Sequence, residues 1–293
     1  MSARRKLMSG KIRIVTDSAS DITREELAKY DVTLVPMPLM IGEMSCFDDK
    51  VRPVASLWED MQNGVEVKTS QPSPSSFLEV FRQVKADGDT VICILLAAAL
   101  SGTCQSAIMA KEMAEYDEIY IVDSKRATCS QKLVAFEACR LRDETDMTAA
   151  QIAEHLEDFI DRIKLFACID TLEYLVKGGR LSKVAGNIGS MLNIKPIIAF
   201  DDVGNIKVIK KVAGSKKAFS DLCGRIAETD IDTNYPVIPL FACSDANCRK
   251  MLGMLEETEN FPSNLIPEEI GATIGPYIGP GGFGLTFVEK TKA

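Results

Sequence analysis

Hydrophobic and polar positions along this chain follow two different rhythms. Residues 12–16 are an apolar run ending in Asp17-Ser18, the mark of a short buried strand. Asp21 can cap a helix that runs to about Tyr30. Residues 32–41 predict a second strand, and residues 53–63 and 74–85 predict helices, the latter with Pro74 at its first position. The longest apolar run, 91–100, predicts a third strand. Residues 102–116 carry Cys104, Ala107, Ile108 and Ala114 at helical spacing, and residues 119–122 predict a fourth strand ending in Asp123-Ser124. Helices over 128–142 and 148–163 follow. Strands alternating with helices imply βαβ units and a mostly parallel sheet.

The rhythm changes near Lys164. Residues 165–169 are strand-like and 181–192 helical. Residues 194–200 and 206–212 flank Asp201-Asp202-Val203-Gly204-Asn205, a β-hairpin loop. A helix over 216–229, a strand over 237–243 and a helix over 245–256 follow, and residues 270–288 are rich in Gly and β-branched residues. The expected fold is α/β with two domains. An N-terminal α/β domain over 10–163 has a mostly parallel sheet, and a C-terminal α+β domain over 164–293 has a mixed one. No Pro/Gly/Ser-rich linker separates them, so they are expected to pack together.

Charge and composition narrow the function. The 293 residues carry a formal net charge of -8, which argues against a nucleic-acid surface. Lys207, Lys210, Lys211, Lys216 and Lys217 form a local basic run, read as a solvated face. Nine Cys occur without a CxxC pair, and Cys243 and Cys248 have no His nearby, which argues against zinc. Scattered thiols fit a reducing cytoplasm. The basic start lacks an apolar signal region, and no run reaches the ~18 apolar residues of a membrane span. Neither a GxxxxGK[ST] loop nor a G-x-S-x-G elbow is present. The only His, His155, lies beside the stripe Ile152, Leu156, Phe159, Ile160 and Ile163, on a helix surface. These features argue against a Ser-His-Asp triad and against a His-rich metal site, so no catalytic residue and no metal ligand is assigned from them.

What remains is a set of small polar clusters. Thr69-Ser70-Gln71-Pro72-Ser73-Pro74 and Ser101-Gly102-Thr103 are both expected at helix N-termini, where free amides favour an anion. Two such ends beside apolar strands suggest a small acid held by hydrogen bonds. Asp17-Ser18, Ser101 and Asp123-Ser124 end strands and are expected to share one crevice at the carboxyl edge of the sheet. Asp17 and Asp123 read first as turn caps and second as an acid pair of a magnesium-dependent phosphotransferase. Lys177-Gly178-Gly179-Arg180 fits a left-handed helix end, and equally a close backbone approach with an Arg facing an acid.

In their order these pieces resemble the DegV family. The resemblance rests on Thr16-Asp17-Ser18, TSQPSP from Thr69, LSGT from Leu100, Val122-Asp123-Ser124, and Asp170-Thr171-Leu172-Glu173-Tyr174-Leu175 through KGGRLS. Lys195-Pro196 and the final IG…IG…GPG complete it, over residues 11–289. It implies a fatty acid in a tunnel between two domains. Better-understood members look like the FakB subunits of bacterial fatty acid kinase, which present a fatty acid to a separate ATP-dependent kinase subunit for acyl-phosphate formation. The implied carboxylate-binding residues are Thr69, Ser101, Gly102, Thr103, Arg180 and Tyr277, with Asp17, Ser18, Ser70, Asp123, Ser124 and Gly279 in the same crevice. The family usually has His where Tyr277 stands, and often Ser where Ala97-Ala98-Ala99 stands. The resemblance further implies no cofactor beyond the bound long-chain fatty acid, a cytoplasmic location, no integral membrane segment and at most a transient membrane contact. A lipid-responsive regulatory protein without a kinase is the alternative.

Overall fold

The computed structural model describes residues 10–182, 193–258 and 261–291. The helix expected over 181–192 lies almost wholly outside the described residues. In the first half the strands are β1 (Ile12–Asp17), β2 (Val32–Val35), β3 (Pro38–Ile41), β4 (Met44–Phe47), β5 (Val67–Thr69), β6 (Thr90–Leu95) and β7 (Ile119–Asp123). The helices are α1 (Arg24–Lys29), α2 (Val54–Gln62), α3 (Pro74–Asp87), α4 (Thr103–Ala114), α5 (Thr128–Glu144) and α6 (Ala149–Arg162). The second half contains β8 (Ile163–Cys168), α7 (Glu173–Lys177), β9 (Ile194–Phe200), β10 (Ile206–Ala213), α8 (Ser215–Ala227) and β11 (Ile238–Phe241). It closes with α9 (Ala246–Leu255), β12 (Glu268–Glu269), α10 (Gly275–Ile278) and β13 (Phe283–Val288).

Among the described residues the strands form three sheets. A parallel sheet has the order β2-β1-β6-β7, and a mixed sheet the order β10-β9-β8-β13-β11-β12. The third, β4-β3-β5, is antiparallel and has no counterpart in the sequence reading. The expected strand over 32–41 divides into β2 and β3, which belong to different sheets. Pro36 and Pro38 supply the break, because neither can donate to a ladder. The expected strand over 91–100 stops at Leu95, and Ala97 accepts from the amides of Leu100 and Ser101 in a turn.

The helices α5 and α6 lie between the two larger sheets. Thr148 and Gln151 form a capping box at the start of α6. Ile152, Leu156, Phe159 and Ile160 bury its apolar stripe, while His155 bonds Glu137 at 3.0 Å on the outer side. One apolar core runs from Ile14 through Leu133 and Phe159 to Ile238 and Val288, so both halves share it. Polar ties cross as well: Ser130 and Thr286 hydroxyls lie 2.8 Å apart. The fully buried Lys132 reaches Glu26 at 2.9 Å and Glu268 at 2.5 Å. A buried ammonium without such partners would be strongly unfavourable. The 201–205 hairpin turns where expected, with Asp201 accepting from the Val203 and Asn205 amides and Gly204 at φ +91°.

Candidate functional site

The site assembles from four chain segments that meet where the three-stranded sheet covers the space between the larger sheets. Thr69 ends β5, opposite Leu39 of β3. It is therefore a strand residue, lying ahead of the helix start that the sequence places at Pro74. The helix begins at Pro74, with Ser73 as its cap. Tyr277 lies on the short α10, and its hydroxyl is 2.7 Å from the Thr69 hydroxyl. Arg180 follows α7 and places its guanidinium 4.6 Å from the Tyr277 ring centre, a cation–π contact. It donates from Nε to the Leu100 carbonyl at 3.2 Å and from Nη1 to the Gly178 carbonyl at 2.6 Å. Among the described residues, no aspartate or glutamate pairs with it.

Glycine allows a close approach at two places in this arrangement. A Cβ on Gly178 would lie 2.3 Å from Tyr277 Cδ1, so only Gly lets the ring pack against the KGGR backbone. Gly102 sits against Gln71, where a Cβ would meet Oε1 at 2.0 Å. Gln71 in turn donates to Ser106 at 3.1 Å. TSQP and LSGT are thus stitched together through Gln71, whose role no spacing in the sequence marks.

The two strand-end acids shape the loop that carries Ser101. Asp17 is fully buried and accepts from the Ala19 amide at 2.8 Å and the Leu96 amide at 2.7 Å. Burial pushes its carboxyl up to about 6, against the pull of those amides. Asp123 accepts from Ala98 at 3.1 Å and Lys125 at 2.8 Å. Ser18 is used by Met37 and Asp48, and Ser124 by Arg126. These side chains tie backbone together, as the capping reading expects. The single-crevice expectation is corrected: Asp17, Ser18, Asp123 and Ser124 do not line the cavity described next. Their oxygens are engaged by the turns they hold.

That cavity is apolar, with about 870 Å³ of space unfilled by atoms when the open solvent at its mouth is included. Thr69, Ser70, Ser101, Arg180 and Tyr277 line its polar part. Leu165, Ala167 and Ile169 alternate along β8 and its end, and Ile198 and Phe200 along β9, presenting one face of the mixed sheet. Met37, Leu96, Leu100 and Ala127 close the side toward the parallel sheet. Two threonines in the wall turn their hydroxyls away: Thr128 donates to Asp21 and Thr273 to Asp48, each at 2.6 Å. Their polarity is thereby spent on buried carboxylates. Gly102, Thr103 and Gly279 stand beside the cavity and do not line it. Thr103 is fully buried and pairs with Ser101 at 2.8 Å. Gly279, at φ +73°, makes room for the Tyr174 ring. The sequence signal for the wall was period-two apolar spacing, which marks a sheet face without saying what it faces.

Fold and site together define an α/β protein of two larger sheets and one small one, with an interior apolar cavity and a small cluster of hydroxyls and one arginine at its neck. A family model described as an uncharacterised protein of the DegV family matches residues 11–290, and the chain belongs to that family. A DegV domain-containing protein of Caldanaerobacter subterraneus is 32% identical over 280 residues, covering 96% of this chain and 99% of the relative. Among solved structures, a stearic acid-binding protein from Eubacterium ventriosum aligns with a TM-score of 0.84 at 26% identity, covering 95% of this chain and 98% of the other. A DegV family protein from Thermus thermophilus, described for its fatty acid binding, aligns with a TM-score of 0.85 over 96% of this chain and 100% of the other. At 24% identity this second likeness concerns the fold. No helix among the described residues is long and apolar enough to cross a membrane.

Proposed function

We propose that this chain binds a long-chain fatty acid in the interior cavity and presents its carboxylate to a separate ATP-dependent kinase subunit. The carrying observation is Arg180, a cation without a carboxylate partner among the described residues, at the polar end of an apolar cavity. A half-buried guanidinium with spare donors favours a carboxylate, and the Thr69, Ser101 and Tyr277 hydroxyls supply neutral donors beside it. Each buried methylene contributes about 0.8 kcal/mol, so a chain of ~14 gains roughly 11 kcal/mol before the costs of binding. Burial of the tail therefore dominates affinity, while the head group sets register. The binding recorded for the Eubacterium ventriosum relative supports the same ligand class.

In this reading the chain carries no catalytic group. A carboxylate oxygen of the bound acid attacks the γ-phosphorus of ATP held by the kinase. The new C–O–P linkage forms as the β–γ bridging bond breaks, and ADP leaves on the partner. We place the ligand between an N-terminal lobe over 10–163 and a C-terminal lobe over 164–293, and the protein in the cytoplasm, where its nine thiols stay reduced. Solvent extraction of the purified protein followed by mass spectrometry tests the binding. Recovery of a long-chain acid, or its uptake after delipidation, is the expected result. Neither would end the proposal. Acyl phosphate formed only when kinase, ATP and loaded protein are combined tests the second step.

A further inference from the structure

The head-group residues face two spaces. Thr69, Arg180 and Tyr277 line the apolar cavity and also line a polar, solvent-open vestibule. The vestibule lies between the 64–69 segment, the 174–180 segment and Pro276-Tyr277. Its charged lining is Glu66, Lys68, Lys177 and Arg180. Glu66 holds both lysines, Lys68 Nζ at 2.8 Å from Oε2 and Lys177 Nζ at 3.6 Å from Oε1. Two ammonium groups are thus gathered at the two ends of one carboxylate, next to Arg180, which has no carboxylate partner among the described residues. Three cations face one anion, in a chain whose net charge is -8. Strand alternation places Glu66 and Lys68 on one side of the β5 segment, with Val67 and Thr69 on the other.

We propose that this vestibule is a second anion site, which takes the phosphoryl group of a fatty-acyl phosphate with Lys68 and Lys177 as its cations. The proposal rests on the fatty-acid reading. Converting a carboxylate to an acyl phosphate adds a tetrahedral group with up to two negative charges beyond the carboxyl carbon, away from the tail. Beyond the Thr69, Tyr277 and Arg180 neck lies the vestibule. A tetrahedral oxyanion spans the two ammonium groups as the Glu66 carboxylate now does, and it displaces that carboxylate when it binds. Lysine serves such a group as a point charge. No bond is made or broken in this site. It holds the product of a transfer whose donor sits on the kinase.

The test compares two ligands, palmitic acid and a palmitoyl methylphosphonate, in which a methylene replaces the bridging oxygen of the acyl phosphate. Dissociation constants are measured at low salt and alkaline pH for wild type, Lys68→Met/Lys177→Met and Glu66→Gln. Methionine keeps most of each apolar stem, and both lysines are largely exposed, at 62% and 76%. The double variant is expected to weaken the phosphonate roughly tenfold while leaving palmitate within about twofold, given two exposed pairs. Glu66→Gln is expected to strengthen the phosphonate. Equal effects on both ligands, or no effect on either, would overturn the proposal. Wild type binding palmitate but not the phosphonate would overturn it too, and would leave fatty-acid binding standing. Binding of neither would end the fatty-acid reading and this proposal with it.

Discussion

The hydroxyls of Thr69 and Tyr277 lie 2.7 Å apart across 208 positions of sequence. One ends a strand of the small antiparallel sheet and the other rides on a short helix near the end of the chain. Their bond forms part of the wall between the apolar cavity and the polar vestibule. A ligand carboxylate at this neck competes for the same two hydroxyls.

Tyr277→Phe removes one of them. The affinity for a long-chain acid should fall about three- to tenfold, the worth of one hydrogen bond near 1 kcal/mol. Affinity for the methyl ester should not change, since the tail contacts survive. Calorimetric titration with acid and ester checks this, and an unchanged acid affinity removes Tyr277 from the head-group contacts.

Arg180→Gln removes the cation. A charged hydrogen bond contributes about 1.5–3 kcal/mol, so acid affinity should fall on the order of ten- to a hundredfold. Wild-type binding should weaken with added salt, and binding by the variant should lose most of that dependence. Matching salt slopes for the two proteins would show that Arg180 does not meet the carboxylate.

Gly178→Ala drives a methyl group into the Tyr277 ring, 2.3 Å from Cδ1, and toward the Tyr174 carbonyl at 3.1 Å. Such overpacking costs about 1–3 kcal/mol, read as a lower urea midpoint. In a Tyr277→Ala background the same substitution should cost clearly less, since the ring it meets is gone. Equal costs in both backgrounds would refute the clash.

Asp17 makes stability depend on pH. Its folded carboxyl sits at about 6, against an ordinary 3.8, because burial disfavours the charge. The folded state binds this proton more tightly, so the contribution of Asp17 is greatest at acid pH. It is lost as pH rises from about 4 through about 6. The interval corresponds to about 3 kcal/mol. The stability of wild type minus that of Asp17→Asn should fall by up to this amount across the window. A flat difference in urea unfolding free energies would contradict it.

Burial imposes its own spacing on each stretch of chain, and that much was readable residue by residue. Period-two and period-3.6 patterns placed β1, β7, α3, α5, α6, the β9–β10 hairpin and α9 to within a few residues, and capping placed Asp17 and Asp123 in turns. The pieces at Thr69, Ser101 and Arg180 stood out because small polar residues and glycines interrupt those patterns. Weak, short signals failed: β4 and β5 span only 4 and 3 residues, too few for periodicity to rise above chance. Pro36 broke a run whose apolar character was continuous.

Tertiary structure alone decided which of these pieces meet. Thr69, Ser101, Arg180 and Tyr277 converge because the small sheet, the 96–101 turn, α7 and α10 pack around one cavity, and packing contacts carry no periodic trace along the chain. It also decided that Asp17 and Asp123 use their oxygens on backbone amides, while Arg180 is left beside aromatic and carbonyl partners, with no carboxylate among the described residues. A sequence pattern records how each residue relates to its own strand or helix. Whether a charge finds its counter-charge depends on what arrives from elsewhere in the fold.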